Sequence, residues 1–562
     1  MRCQRSKQSA ETKAGQSGKV SRVLILVLLC CLAGLAMVSV RQKSVTYDEG
    51  VYYGLGKYIL QHHRWDTGGL VLHPPLSYYL HSVPLLILRS ANIASEVRKK
   101  LVLRSKGMIP ITERFKPWDC FPLLFQARIV IVLLSVLLGF YVFKWSKELY
   151  GEKAGLLALF LYSLSPNILA HSRLITPDLP ITCFSFIAVY YYWLFIKEPT
   201  RKGLLLSGST LGLALLSKYS AILLFPIYLL IGIAVLFSKM EIKSSLKVPW
   251  ENVFPKRSGL GRTYVLITLI IMIFVVSVLV LNLGYGFKGT LTPLSRYHFE
   301  SDFFGRWQGN QFFATFVAPI PSPYVRGIDF QGVLSEQGQG SFLAGEHSTT
   351  GWRYYYLFAF LIKTPIPFLI FLLFTLLFFK RIRHRVAVFE CFLIIPILLF
   401  IIYFSLFNHL NIGLRYLLPV FPFMYVFVSK VVKLKFKRQK IFVGMVIFLV
   451  GWYVVSSLWI FPHYLAYFNE LIGGPRNGYK YLIDSNLDWG QDNDAMIEYA
   501  RNSKEPIKIN PEEPTKGKIA VDANRLQGLP GFSSFPTDRY EWLRKLKPID
   551  HVGYSWLIYE VR

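Results

Sequence analysis

Val23-Leu24-Ile25-Leu26-Val27-Leu28-Leu29-Cys30-Cys31-Leu32-Ala33-Gly34-Leu35-Ala36-Met37-Val38-Ser39-Val40 contains no charged residue, and Val45-Thr46-Tyr47-Asp48-Glu49-Gly50 follows shortly after it. An apolar run of this length suits a helix crossing the hydrocarbon of a bilayer. Two adjacent carboxylates at the point where such a helix leaves the membrane carry a desolvation cost unless they bind a cation or handle protons. The plainer reading is an interfacial helix start, with Thr46 or Asp48 as N-cap and acids in the first turn. The choice turns on where the other unusual polar residues of the chain fall.

The rest of the composition sets the class. Of 562 residues, 53% are hydrophobic and only 17% charged, too much apolar surface for one soluble core. Apolar runs recur at close to membrane-spanning length, which predicts an α-helical polytopic membrane protein. The formal net charge of +30 lies mainly in short connectors between these runs, as a positive-inside distribution requires. No RNP, zinc-finger or basic-zipper signature accompanies it, so a nucleic-acid partner is not expected. Six cysteines (Cys3, Cys30, Cys31, Cys120, Cys183 and Cys391) form no CxxC metal pattern and imply no disulfide framework. The basic N-terminus, residues 1–22, resembles a signal-peptide n-region. The apolar run after it is long and lacks a small-residue cleavage site, so it reads as a retained first span.

Further spans are expected at roughly 121–143, 154–171, 177–196, 203–218, 219–237, 263–285, 352–379, 386–404, 414–429 and 441–460, about eleven in all within a transmembrane domain 23–460. Clustered bases mark one side: Lys144, Lys147 and Lys153, then Lys197, Arg201 and Lys202, then Lys239 to Arg262, Lys380 to Arg385, and Lys430 to Lys440. Threading places these and the N-terminus in the cytoplasm. Residues 41–120, an amphipathic first loop expected to form short surface helices, then lie outside, with the loop 286–351 and the tail 461–562. Gly, Asn, Asp and Pro are common in the tail, and helices near 491–502 and 540–545 with strands near 519 and 552–559 predict a small α/β region.

The isolated polar residues can now be placed. Asp48 and Glu49, His73-Pro74-Pro75-Leu76, the turn carrying His171, Arg173 and Asp178, and Lys218, Lys363 and Arg415 all fall at the outer ends of spans. Each alone has a dull explanation, since a lone Lys or Arg near a helix end snorkels and an acid after a proline caps a first turn. Scatter over both faces would favour that explanation. Convergence on one face favours a shared site, with a carboxylate to take a proton and several cations to hold a phosphate leaving group in a partly dry pocket.

At these residues the chain resembles the polyprenyl-phosphate-sugar-dependent glycosyltransferases of the GT-C class, the protein O-mannosyltransferases and lipid A aminoarabinose transferases of glycosyltransferase family 39. The resemblance rests on Asp48-Glu49 after the first span, His73-Pro74-Pro75-Leu76, Arg173 and Asp178 at an Arg-x4-Asp spacing, and Gly212 to Lys218. It extends to Leu361-Ile362-Lys363-Thr364-Pro365 and Gly413-Leu414-Arg415-Tyr416-Leu417-Leu418-Pro419, and covers roughly residues 22–500. It implies a GT-C fold and transfer of one sugar from a polyprenyl-phosphate carrier to an extracytoplasmic protein, lipid or glycan acceptor, with inversion. Asp48 would be the general base, and Glu49 would orient the acceptor or a cation. Arg173, Lys218 and Arg415, with Lys363, would hold the carrier phosphate, while Asp178, His73 and Tyr47 would face acceptor or sugar. A divalent cation at Asp48/Glu49 is left open, because two adjacent acids are a poor cage without further oxygen ligands. Aminoarabinose transferases usually carry Lys where His73 stands, and the 286–351 loop is too short for a β-trefoil insert of the eukaryotic mannosyltransferase kind.

Asp484-x-Asn486-x-Asp488-x-Gly490-x-Asp492 alternates oxygen ligands like a calcium loop. Trp489 replaces the expected glycine and Ala495 the expected glutamate, so a turn with an N-cap for the following helix is the better reading. A lipid-linked-sugar flippase would place charges near the middle of several spans, whereas here they stop near one face. A glycan polymerase or ligase would share the carrier site and stays open. The lack of Asn-x-Ser/Thr sequons fits a bacterial inner membrane.

Overall fold

The computed structural model describes residues 2–65, 72–88, 117–238, 240, 259–529 and 538–562. Most of the connector 239–262 and the part of the first loop from 89 to 116 therefore lie outside the described residues, as does the Cys120 side chain. Among the described residues, seven helices are long and apolar enough to cross a membrane: Val20–Arg41, Leu124–Tyr150, Asp178–Lys197, Tyr219–Leu236, Gly259–Gly284, Ala387–Leu406 and Gln439–Trp459. These make the chain a multi-pass α-helical membrane protein.

The other expected spans differ from plain crossings. The stretch 154–171 is two helices, Glu152–Ser163 and Pro166–His171, broken at the Ser165-Pro166 step. Arg201–Leu215 is a shorter helix buried on one face, and Val420–Ser429 is a short helix buried on all sides. The stretch 352–379 is not one straight span: Tyr355–Lys363 and Ile366–Leu377 meet at 114° across Thr364-Pro365. A break of this kind frees carbonyls at a helix end, which a membrane interior tolerates only if protein satisfies them. Asn469 donates its side-chain amide to Leu361 O at 2.6 Å and Thr364 O at 2.8 Å, and its backbone N–H to Ile362 O at 2.8 Å. Asn167 donates to Lys363 O at 2.8 Å.

Close packing follows from small residues. Gly208 and Gly212, one turn apart on Arg201–Leu215, let that helix sit directly on Gly259–Gly284; a Cβ at Gly212 would come within 2.6 Å of the Val280 Cβ. The opposite stripe of Gly259–Gly284, with Ile267, Ile271, Val275 and Leu279, is exposed and suited to lipid.

The first loop holds the helices Tyr47–His62 and Pro75–Leu88 against the bundle. Residues 286–351 form short helices, the longest Ser322–Gln337, and a hairpin of β1 (Ser341–Leu343) and β2 (Glu346–Ser348). The tail carries the helix Asn493–Arg501 and a four-stranded sheet of β3 (Ile507–Ile509), β4 (Gly517–Asp522), β5 (Asp550–Val552) and β6 (Trp556–Val561), in the order β3-β4-β6-β5. Only the β3–β4 pair is parallel. The strand expected at 552–559 is thus a hairpin, turning at Gly553 and Tyr554, both with positive φ.

Candidate active site

Asp48 stands in the first turn of Tyr47–His62, and the chain around it is fixed from both sides. Glu49 closes the turn: its Oε2 accepts from Thr46 N at 2.8 Å and Thr46 Oγ1 at 3.1 Å, the reciprocal half of a capping box. Its carboxylate is fully buried and gripped by Arg128, with Nε to Oε1 at 2.8 Å and Nη2 to Oε2 at 2.5 Å, while Ile175 N donates to Oε1 at 3.0 Å. Burial alone would raise the Glu49 carboxyl, but Arg128 and the backbone donors override it and hold it below the usual range. From the tail, Trp489 O accepts from Tyr47 N at 3.1 Å and Gln491 O from Ser44 N at 2.9 Å. The neighbouring acids therefore point apart: Glu49 into the protein, Asp48 half-exposed towards three other charged groups.

Those groups are Arg415, Asp178 and Lys218. Arg415 Nη1 lies 3.5 Å from Asp48 Oδ2 and 3.8 Å from Asp178 Oδ2, and Lys218 Nζ donates to Asp178 Oδ1 at 2.8 Å. Asp178 opens the helix Asp178–Lys197 after Pro177, and Lys218 sits in extended backbone where Arg201–Leu215 gives way to the next turn. The Pro74-Pro75-Leu76 segment docks on that break, with Leu76 N to Leu216 O at 2.9 Å and Ser77 Oγ to Ser217 O at 3.2 Å. His73 thereby meets Tyr52, its Nε2 3.1 Å from the hydroxyl.

Arg415 lies on the turn Leu414–Leu417, its guanidinium stacked 4.2 Å above the Trp489 ring. The tail fixes this turn: Asn486 Oδ1 accepts from Leu414 N at 2.9 Å and Ser485 Oγ donates to Ile412 O at 2.5 Å.

Electrostatics follow from the packing. Burial lifts the Asp48 carboxyl above the usual carboxylate range, with Arg415 opposing and Asp178 adding to the shift. Burial disfavours the charge on Arg415, but Asp178 and Asp48 more than offset it and raise its pKa. Burial and the Lys218 charge push His73 down to about 3, so its imidazole is neutral. Asp484, in left-handed backbone beside this group, is pushed up to about 6 by burial.

Not every residue singled out in the sequence joins this group. Lys363 Nζ is directed at three backbone carbonyls, Leu465 O (2.9 Å), Tyr467 O (3.1 Å) and Asn486 O (2.5 Å). The Tyr47 ring packs against Gly490, facing the tail. Arg173 lies in a second buried cluster, near Arg128, Glu49 and Asp492; none of its guanidinium nitrogens has a hydrogen-bond partner, and burial with Arg128 pushes it down to about 10. Asp492 does occupy the N-cap of Asn493–Arg501, but its side chain does not cap. It pairs instead with Lys43, whose ammonium also meets His463 Nδ1, and accepts from Ser555 Oγ at 2.8 Å. Trp489 and Arg128 were not legible as site residues, because one lay in the Asp484 to Asp492 stretch read as a turn and the other inside an apolar run.

The donor set does not suit a metal at Asp48/Glu49. Glu49 spends both oxygens on Arg128 and backbone, Asp48 faces a guanidinium, and no group of three or more His, Cys, Asp or Glu side chains is disposed to hold an ion among the described residues.

The family model described as dolichyl-phosphate-mannose-protein mannosyltransferase matches residues 123–253, less than a quarter of the chain. Among solved structures, ArnT from Cupriavidus metallidurans in the apo state is similar at 15% identity and a TM-score of 0.44, over 80% of this chain and 70% of that one. The same protein bound to undecaprenyl phosphate gives 12% identity and 0.44, over 95% and 97%. The Saccharomyces cerevisiae protein O-mannosyltransferase Pmt1–Pmt2 complex bound to the sugar donor gives 17% and 0.32, over 47% and 34%. No curated protein matches.

Proposed function

We propose that this chain is an integral-membrane glycosyltransferase that moves one sugar from a polyprenyl-phosphate carrier to a hydroxyl of an extracytoplasmic acceptor. The observation that carries the reading is the partly exposed carboxylate of Asp48, held 3.5 Å from Arg415 within a group that Asp178 and Lys218 complete. The family model over 123–253 and the order of the motifs supply the substrate class.

In the reaction the acceptor oxygen attacks the anomeric carbon as Asp48 takes its proton, and the bond from that carbon to the carrier phosphate oxygen breaks. The electron pair leaves with the polyprenyl phosphate, and the configuration inverts. A phosphate is already a good leaving group, so one base and charge neutralisation suffice. Arg415 and Lys218 are assigned to the phosphate. Asp178 sets the position of both cations, and the stack on Trp489 fixes the Arg415 plane. Arg173 lies apart from these cations, in the cluster of Arg128, Glu49 and Asp492. Glu49 positions Asp48 through the capping box, and Lys363 holds the break at Thr364-Pro365. His73 and Tyr52 face the acceptor or sugar as neutral groups. The site lies at the end of the bundle away from the clustered bases, which supports an extracytoplasmic location for the chemistry.

The test uses the full chain in nanodiscs with radiolabelled undecaprenyl-phosphate sugars, comparing the native protein with Asp48→Asn. Transfer or sugar release by the native protein, lost in the variant, is the expected result. Carrier translocation without transfer, equal in both proteins, would replace the enzyme with a flippase.

A further inference from the structure

Beside the tail helix Asn493–Arg501 a cleft of about 750 Å³ opens between that helix, β4, the β5–β6 hairpin and His463, the residue four positions beyond the last apolar helix. Nothing in the proposed chemistry uses it. Its volume lies within the range of small-molecule sites. We propose that this cleft binds a carbohydrate, the glycan portion of the acceptor. The assignment deepens the glycosyltransferase reading and rests on it.

The lining argues for sugar over other ligands. Glu498 and Glu505 balance Lys504 and Lys518, so the cleft has no net charge to favour a phosphate. Burial and the nearby Arg476 push the His551 imidazole down, which keeps that wall neutral. Asn502 and Ser503 add an amide and a hydroxyl. The result is a lining of both donors and acceptors, the complement of a ligand whose every hydroxyl both donates and accepts. Tyr499 supplies the apolar face that sugar rings stack on, and its hydroxyl, donating to Asp550 Oδ2 at 3.0 Å, holds the ring in place.

The position fits an acceptor. His463, one wall of the cleft, meets Lys43, which pairs with Asp492 at the start of the cleft helix. Gly553, which also lines the cleft, packs so closely on Asp492 that a Cβ there would lie 2.1 Å from its Cγ. Asp492 in turn ends the Trp489–Gln491 stretch whose carbonyls hold Tyr47 and Ser44 beside Asp48. The cleft is therefore built on the same strap that fixes the proposed base.

The experiment measures binding of mannotriose, maltotriose and chitotriose to the full chain in nanodiscs by saturation-transfer NMR at millimolar sugar, with no donor present. Binding of at least one trisaccharide is expected. It should weaken about tenfold in Tyr499→Ala, the scale of a lost aromatic contact, and in Glu498→Ala/Lys518→Ala. Asp48→Asn should bind as the native protein does. Unchanged thermal unfolding of the cleft variants in detergent separates lost contacts from lost folding. Binding of none of the three sugars, or binding indifferent to the cleft substitutions, overturns the proposal. Because no turnover is required, these outcomes stand apart from a failure of glycosyl transfer itself.

Discussion

Two buried charge clusters sit at opposite ends of the bundle and are built on opposite rules. At the end marked by clustered bases, Glu390 has all it needs: Lys430 Nζ at 2.7 Å and Tyr150 OH at 2.8 Å on one oxygen, His384 N at 2.7 Å on the other. Lys430 is further enclosed by the Phe427 and Phe379 rings at 3.8 and 4.3 Å. At the other end Lys218 pairs with Asp178 at 2.8 Å, but the contacts around Arg415 are long or missing. Arg415 reaches two carboxylates at 3.5 and 3.8 Å, and Arg415 Nε, Asp178 Oδ2 and His171 Nδ1 are buried without hydrogen-bond partners. A saturated ion pair locks a fold, whereas incompletely paired charge is suited to a ligand that completes it. The same residue types thus read as scaffold or as site according to what is left over.

The sharpest way to break this contrast is to change one atom at Asp48. Asp48→Asn keeps the shape and removes the base, so transfer should fall by about a thousandfold, or about 4 kcal/mol in the barrier, with thermal unfolding little altered. Radiolabel transfer in nanodiscs and unfolding in detergent together decide it. A variant retaining a tenth of native transfer would exclude Asp48 as the base.

Glu390 should behave the opposite way. Glu390→Ala strands the buried Lys430 ammonium, and a cost of about 3–5 kcal/mol is expected, visible as a large loss of detergent thermal stability. Adding Lys430→Met should restore most of it, since the apolar pair leaves no charge to satisfy. The folded double variant should still transfer sugar. If the double variant is as unstable as the single one, the cluster is not the self-contained lock described above.

The contrast also explains what could be read in advance. Asp178, Lys218 and Arg415 stood out as lone charges at the edges of apolar runs and Asp48 as half of an acidic pair there, and the structure brings these four together. Glu49 carried the same signal but a different environment, because its partner Arg128 was hidden inside an apolar stretch and lies 79 positions away. The break at Thr364-Pro365 was equally hidden: proline alone does not distinguish a kink from a 114° turn, and the turn is stabilised by Asn167 and Asn469, distant in sequence. Local pattern reports solvent preference; it does not report which distant side chain will satisfy a carbonyl.

Trp489 is the clearest case of a partner that pattern reading missed, and it leads to a smaller prediction. Arg415→Lys keeps the positive charge but loses the planar group that stacks on Trp489 and spans two carboxylates. Transfer should fall by about a hundredfold, with most of the effect in carrier affinity if Arg415 holds the phosphate. Equal loss in Arg415→Lys and Arg415→Gln would sharpen the role to geometry, and full activity in Arg415→Lys would reduce it to charge.

The smallest expected effect lies at Asp484, where site and scaffold meet. Its carboxyl is pushed up to about 6 from an ordinary value near 3.8, mainly by burial, with Arg415 pulling it down and Asp48 pushing it up. The folded chain therefore holds this proton more tightly than the unfolded chain. Its contribution to stability is full below about 3.8 and is lost as pH rises through about 6. Asp484→Asn removes that titration, so the variant should gain on the native protein between pH 5 and 7, by about 1–2 kcal/mol. Thermal unfolding at the two pH values measures it, and a native-to-variant difference that is the same at both would remove Asp484 from the charge balance around Arg415. The gain should also grow when undecaprenyl phosphate is bound, because an added anion beside Arg415 makes the Asp484 proton harder to lose, so the folded chain holds more of it across this window. A carrier effect of that sign would tie the acid on the tail to the phosphate site, using a stability measurement alone.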